Sequence, residues 1–496
     1  MRLCASRYTE RQIYLAFSIT RRMPVKTGIL HKAKRGMTMK NIIETPCGQI
    51  RGCGCQWPGV TAFKGIRYAT AGRFEYPQIV THWDGEYDAT AYGNCCYQPR
   101  SFYDEEQVPE KAFYYNEFRK GETYTYSEDC LFLNVWMPEN ATPESNLPVL
   151  FYIHGGGFTG GCGHEKHFDG PVWASKGIIA VTINYRLGPL GFLCLPELAA
   201  EAGHTGNYGL FDQLAALRWV SENITAFGGD AKNITLMGQS AGAMSVQQHL
   251  LSPLSRPYVA KAVMSSGCGV NKMFGSANPP EKSYDFWHQV MKAAGCGDLA
   301  AFRVLPAEDL FAAMDKMKKE QNVKGMFCAP CTDGVFTPKA PLDIVAAGEQ
   351  ADVPTMVGTN SEDMFPPILH NMAKGWCKTQ YAAGKGPSYA YYFDRKLPGD
   401  KNGAWHSADL WYWFGTLKNG WRPFTEKDEE LSDQMSGYLV NFARNGNPNG
   451  EGLPAWKPIT KEQGKVLCLG EKETRMGKPG ALKMYATMLT KKSVGE

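Results

Sequence analysis

The chain predicts an α/β fold, a mostly parallel central sheet with helices on both faces, and three observations predict it. Short apolar runs rich in β-branched residues recur between turn residues, longer stretches with helical spacing separate them, and the two kinds alternate along the chain. Alternation of this kind builds parallel strands joined by crossover helices. Strands buried on both faces then read as continuous apolar runs rather than as an in-and-out pattern.

In chain order the strands fall at 147–153 (LPVLFYI), 178–183 (IIAVTI), 234–237 (ITLM), 262–265 (AVMS), 353–357 (VPTMV) and 466–469 (VLCL). Segment 208–225 predicts a helix, because Leu214, Leu217, Val220 and Ile224 recur at three- and four-residue steps. Segment 243–251 predicts a second helix, directly after ITLM and a glycine-rich turn.

The length of 496 residues exceeds that of an average domain, but no Pro/Ser-rich linker, low-complexity tract or internal repeat divides it. The reading is one large domain over 37–496 behind a basic extension at 1–36, either a disordered or a misassigned leader. That extension holds nine Lys/Arg against Glu10 and carries +8 of a total of +4, which leaves the remainder at −4. A slightly acidic body gives no electrostatic reason to expect nucleic acid or anionic lipid as a partner. No run of 18 apolar residues is present to span a bilayer. Fifteen mostly scattered cysteines argue against a secreted disulfide framework and for a cytoplasmic location, with secretion as the alternative. The pair Cys328-Ala-Pro-Cys331 has redox or half-zinc spacing without a second half, so it reads chiefly as two ordinary semi-buried cysteines. No cofactor or metal is expected.

The chemistry starts at Gly238-Gln-Ser240-Ala-Gly242, between ITLM and the following helix. A tight strand-to-helix turn strains its central residue, holds the Ser240 hydroxyl clear of the sheet and aims helix N-terminal N–H groups beside it. Bulk at Gly238 or Gly242 would meet the neighbouring strand or helix. Directly after LPVLFYI stands His154-Gly155-Gly156-Gly157, whose small residues let backbone N–H groups approach a substrate oxygen. The expected oxyanion donors are the N–H groups of Gly156, Gly157 and Ala241. The hydroxyl also needs a base, and in this architecture the order along the chain is nucleophile, acid, base. Beyond a candidate acid near 363 only His370 and His406 remain. His370 follows too closely to reach the next strand's loop, whereas His406, in Gly403-Ala-Trp-His406, follows a glycine on a loop and is the expected base.

With these motifs the chain resembles the type-B carboxylesterases and cholinesterase-like lipases of the α/β-hydrolase fold, over about residues 40 to 490. Besides HGGGF and GQSAGA, the likeness rests on FKGIRYA (63–69), SEDCLFLNVW (127–136), NYRLGPLGF (184–192), GNYGLFDQLAALRWV (206–220) and FGGD (227–230). The resemblance implies a serine carboxylic-ester hydrolase acting on small-molecule esters through an acyl-enzyme, with Ser240 as nucleophile and His406 as base. The family's usual glutamate falls on Asp363 in Gly358-Thr-Asn360-Ser-Glu362-Asp363, so Asp363 is the expected acid and Glu362 the alternative. The resemblance also implies a bridge from Cys96 to Cys130 around a loop of 33 residues. If formed, it is worth about 3 to 4 kcal/mol by loop entropy. Only 42 residues separate Asp363 from His406, fewer than the family usually has, which implies a reduced helical cap and an open pocket suited to bulky esters. The run Trp411-Tyr-Trp-Phe414 is either a pocket wall or core, and the aromatics at 102–126 either line a gorge or pack their loop. Two other functions stay open: hydrolysis of amides, carbamates or thioesters by the same groups, and a non-catalytic adhesion or binding protein on the same scaffold.

Overall fold

The structure, a computed structural model, describes residues 41–269, 277–323 and 325–490; the basic arm at 1–36 lies outside them. An eleven-stranded sheet dominates. Counting only its members, the strands are β1 (Cys53–Gly54), β2 (Val60–Arg67), β3 (Phe132–Pro138), β4 (Leu147–Ile153), β5 (Ile179–Ile183), β6 (Gly229–Gln239), β7 (Lys261–Ser265), β8 (Thr355–Asn360), β9 (Ser388–Asp394), β10 (Val466–Gly470) and β11 (Thr474–Gly477). Across the sheet they run β11-β10-β9-β8-β7-β6-β4-β5-β3-β2-β1. Every neighbouring pair from β10 through β5 is parallel, and antiparallel strands close both edges. This is the mostly parallel α/β sheet that the alternation predicts, in the α/β-hydrolase arrangement that the resemblance implies.

Residues of β4, β5 and β7 are buried almost without exception, because helices cover both faces. Pro148 stands inside β4 although proline cannot donate to a ladder. The pairing of β4 with β6 is interrupted at that position, between Leu147 and Val149, so the missing N–H costs no regular hydrogen bond. The same chemistry moves the start of β8 from the expected residue 353 to Thr355, past Pro354.

On one face lie α1 (Tyr208–Asn223) and α2 (Ala241–Leu251), both buried nearly all round. Helices α3 (Tyr284–Ala293) and α4 (Ala307–Glu320) pack on each other in the excursion between β7 and β8. The segment between Asp363 and His406 contains α5 (Pro366–Ala382) and β9; α5 packs along β8 and β9, so it covers the sheet. On the other face α6 (Leu410–Phe414) packs against α7 (Glu426–Asn445). Two apolar cores result, one under each face. Within the second, Trp411, Tyr412, Trp413 and Phe414 have no accessible surface, and Phe414 stacks on Trp173 with centroids 4.1 Å apart. The aromatic run after His406 is therefore core and not a pocket wall.

One buried ion pair joins two of these elements. The Arg186 guanidinium grips Asp212 through two bonds of 2.8 and 2.7 Å, and the Arg186 backbone N–H adds a third at 3.0 Å. The pair fastens the loop after β5 to α1, which accounts for the adjacency of two sequence signatures. Cys96 and Cys130 are joined as a disulfide with Cα atoms 5.0 Å apart. The bridge fastens the aromatic loop at 102–126 to the entrance of β3. Among the described residues no helix is long and apolar enough to cross a membrane.

Candidate active site

The parallel strands bring four loops to one edge, because β4, β6, β8 and β9 all end there. Their carboxyl ends are where an open α/β sheet presents ligand-facing side chains. His154–Gly157 follows β4, Ser240 follows β6, Asp363 follows β8, and His406 lies beyond β9.

Ser240 sits between β6 and α2 with φ 57° and ψ −126°, a conformation that side-chain-bearing residues rarely adopt. The turn holds it there: its N–H donates to the Ser265 carbonyl at 2.9 Å, and its carbonyl accepts from the Met244 N–H at 3.0 Å. The surrounding glycines leave no room for alternatives. A Cβ on Gly238 would lie 2.4 Å from the Gly242 backbone, and one on Gly242 would lie 2.1 Å from the Ile153 carbonyl oxygen. Strain stored at one side chain that protrudes from the sheet edge marks a functional position.

In the loop after β4, Gly156 has φ 106°, Gly157 φ 63° and Phe158 φ 60°. A Cβ on Gly156 would be driven to 2.1 Å from the Gly160 oxygen, so the first position requires glycine. The Gly156 carbonyl turns inward to accept from Thr159 and Gly160 at 3.1 and 3.0 Å. Among the described residues the N–H groups of Gly156, Gly157 and Ala241 donate to no protein acceptor. Three such donors beside Ser240 can take a developing oxyanion. Beneath them His154 stacks on Tyr185 with its Nδ1 2.8 Å from the Gly155 oxygen, and burial pushes its imidazole down to about 4. It is a neutral prop for the loop.

His406 is buried, and its Nδ1 donates to Asp363 Oδ1 at 2.5 Å. Asp363 is fully buried and also accepts from the Ser266 hydroxyl at 2.6 Å, the Asn360 N–H at 3.1 Å and the Met364 N–H at 2.8 Å. Burial alone would raise this carboxyl, but the His406 charge and these hydrogen bonds outweigh it and hold the group below the usual carboxylate range. Glu362, the alternative acid, is turned the other way: its carboxylate accepts from the Ala404 N–H at 2.9 Å and from the Ser361 hydroxyl. His370 packs in α5 with its ring edge-on to Tyr392, and burial pushes it down to about 4.

Three neighbours carried no sequence signal of their own. Gln239 Nε2 lies 3.2 Å from His406 Nε2 and donates to it, which directs the second ring nitrogen towards the residue before Ser240. Ser266 braces Asp363. Asp409, three positions after His406, is fully buried and accepts from Ser265 Oγ at 2.7 Å, Tyr391 OH at 2.8 Å, Trp413 Nε1 at 3.1 Å and Asn360 Nδ2 at 3.1 Å. Burial raises its carboxyl despite those donors.

Apolar side chains border the group. Trp405, next to His406, meets Phe113 and Tyr114 edge-on at 5.1 and 5.8 Å, and Met364 and Phe365 follow Asp363 with 56% and 40% of their surface exposed. Phe113, Tyr114 and Phe118 of the disulfide loop all meet Trp405, Phe118 at 5.6 Å while stacked on His167 at 3.7 Å, and of the three only Tyr114 is exposed. Cys328 and Cys331 do not act as a pair: Cys328 faces Met314 Sδ at 3.7 Å and Cys331 faces Cys194 at 3.9 Å.

The chain as a whole has known relatives. A family model described as the carboxylesterase family matches residues 39–374 and 368–487. Para-nitrobenzyl esterase of Bacillus subtilis (strain 168) is 31% identical over 484 residues, covering 85% of this chain and 94% of its own. Acylcarnitine hydrolase of Mus musculus is 30% identical over 518 residues, covering 88% of each. Among solved structures, a PNB esterase superposes with a TM-score of 0.76 at 28% identity, covering 90% of this chain and 99% of that one.

Proposed function

The chain belongs to the carboxylesterase family and is a carboxylic-ester hydrolase, and from that premise we propose that it works by two-step acyl transfer on Ser240. His406 takes the Ser240 proton as the hydroxyl attacks the ester carbonyl, and the N–H groups of Gly156, Gly157 and Ala241 receive the oxyanion. The imidazolium passes its proton to the leaving alcohol, and water then clears the acyl-enzyme by the same roles in reverse. Asp363 keeps the His406 tautomer with Nδ1 protonated and stabilises the imidazolium without taking the proton. Each well-placed oxyanion donor is worth about 3 to 4 kcal/mol.

The observation that carries this reading is the 2.5 Å bond from His406 Nδ1 to a fully buried Asp363, with the other ring nitrogen directed at the residue preceding the strained serine. The Nε2 lone pair accepts from Gln239 in this structure, at the turn that exposes Ser240, and serves as base when that amide yields it to the serine hydroxyl. The exposed apolar rim of Tyr114, Met364 and Phe365 favours bulky acyl or aryl esters. The test is a series of chromogenic esters of increasing acyl bulk, with Ser240→Ala as control. Turnover of bulky members that disappears in the variant supports the reading; equal rates in variant and parent sink it, and a strong preference for small choline esters removes the bulky-substrate part. Parallel amide, carbamate and thioester series decide whether the leaving atom matters, since the same groups serve each.

A further inference from the structure

Behind the loop that follows β4, two cysteines and a histidine converge. The Sγ atoms of Cys95 and Cys162 and a ring nitrogen of His164 all lie within 4.8 Å of one another. The two sulfurs come from fully buried residues, and His164 is partly accessible. Cys95 Sγ and His164 Nε2 are 3.5 Å apart. A thiolate and an imidazole on one tetrahedral ion, at about 2.3 and 2.05 Å, are separated by about 3.6 Å. Two thiolates on the same ion are about 3.8 Å apart, so the longest edge needs to close by about 1 Å at most.

The backbone on both sides is fixed. Cys95 lies in a short strand paired in parallel with Tyr126–Ser127, its N–H donates to the Thr125 carbonyl at 2.8 Å, and the next residue, Cys96, carries the disulfide. Cys162 stands between two pinned glycines: the Gly161 N–H donates to Gln98 Oε1 at 2.9 Å and the Gly163 N–H to Asn184 Oδ1 at 2.7 Å. The His164 ring is stacked on Tyr92 at 4.6 Å, 10° from parallel, which fixes the plane in which its nitrogens point. The nearby carboxylate of Glu165 is engaged by Arg100 at 2.7 Å and Arg119 at 3.3 Å and is not a further ligand. The three side chains are otherwise unused by the chemistry at Ser240.

We propose that Cys95, Cys162 and His164 form a binding site for a thiophilic d10 cation, Zn(II) or Cu(I), which ties the exit of the glycine loop to the disulfide-bearing strand. Thiolates with one imidazole select these ions, Cu(I) being satisfied by three ligands and Zn(II) taking a water at the accessible side of His164. The sequence concealed the site because Cys95 and His164 are 69 positions apart and no metal motif joins them.

Loading displaces two thiol protons per ion. The test uses the full chain, exposed to Zn(II) or, without oxygen, to Cu(I), then desalted against a competing chelator. The readouts are metal per chain, protons released and protection of cysteines from alkylation mapped by peptide mass. The expected result is about one ion per chain, about two protons released, and protection of Cys95 and Cys162 together. Cys162→Ala and His164→Gln should weaken retention at least 100-fold, while Cys194→Ala, at the separate buried thiol pair, should not. Retention of one ion rather than the other assigns the metal and supports the site. If Cys162→Ala does not fold, His164→Gln, at a partly accessible position, carries the test. Retention of neither ion, retention indifferent to both ligand variants, or recovery of Cys95 and Cys162 linked to each other by a disulfide overturns the proposal.

Discussion

Asp363 and Asp409 are both fully buried near His406, yet their carboxyls are pushed in opposite directions, the first below and the second above the ordinary range. Among the described residues each accepts four hydrogen bonds, all between 2.5 and 3.1 Å. Two things differ: the nature of one donor, and the negative charge of Asp363, which further raises Asp409. Asp363 has an imidazole that can carry charge, whereas Asp409 has two hydroxyls, an amide and an indole, all neutral. Burial penalises both anions alike, and only a partner that can become cationic reverses the balance. The first pocket can therefore hold a charge pair with His406, as the proposed mechanism requires, and the second locks β7, β9 and α6 together beneath the His406 loop.

Five substitutions break or sharpen that contrast. Removing the proposed nucleophile comes first: Ser240→Ala should lower kcat by roughly 10⁵- to 10⁶-fold with little change in thermal midpoint, read by ester turnover and calorimetry. Asp363→Asn should cost about 10⁴-fold in kcat, because an amide opposite Nδ1 selects the wrong tautomer. Stability at neutral pH should fall as well, since the ionised Asp363 carboxyl contributes to it. Trp413→Ala, in the second pocket, should chiefly destabilise, by about 3 to 5 kcal/mol in urea titration, since the indole is fully buried core. Asp409→Asn should cost about 1 to 3 kcal/mol of stability and less than tenfold in kcat. The amide oxygen can take the Oδ2 place, where Ser265, Tyr391 and Trp413 all donate, but its NH₂ then faces the Asn360 NH₂ across the former Oδ1 contact, donor against donor. The smallest effect belongs to Gln239→Glu: a carboxylate beside His406 Nε2 favours the imidazolium and should move the acid limb of the kcat/KM profile up by about one pH unit. An unmoved limb would mean that the 239 side chain does not face the base in solution.

Stability against pH separates the two carboxylates by sign. Asp363 has a depressed folded value, so its contribution is complete above the ordinary value of 3.8 and is lost as pH falls through the lower one. Asp409 has a raised folded value, so its penalty is present at neutral pH and is relieved as pH falls through that value towards 3.8. Urea titrations on the acid side should therefore show a shallower loss in Asp363→Asn than in the parent and a steeper one in Asp409→Asn.

The parts of this site legible in the sequence were those that the backbone dictates locally. Ser240, Gly156 and Gly157 sit in turns whose glycines are required by positive φ or by contacts near 2 Å, and such requirements leave motifs. The order rule singles out His406 as the proposed base, but choosing between Asp363 and its alternative Glu362 needs the direction in which two adjacent side chains leave the end of β8. Sequence carries no direct record of that. Asp409, Ser266 and Gln239 act through contacts between separate loops, and Asp409 was hidden although it stands three residues from His406. Among the strands, β9 (SYAYYFD) escaped because its run is aromatic and lacks the β-branched residues that marked its neighbours. Strand β6 proved longer than its apolar part because Gly229 pairs across to Leu147 ahead of the hydrophobic stretch. The core position of 411–414 was undecidable from composition, since a pocket wall and a core use the same aromatics.

The central claim is that Ser240 carries the acyl group and that the Asp363–His406 pair activates it. The most direct measurement is the rate and site of labelling by a fluorophosphonate, followed by peptide mass, in the parent and in Asp363→Asn. The account predicts one label per chain, on the peptide containing Ser240, and a labelling rate in Asp363→Asn that falls in step with ester turnover. A label on another residue, or Asp363→Asn labelled at the parental rate, would contradict it.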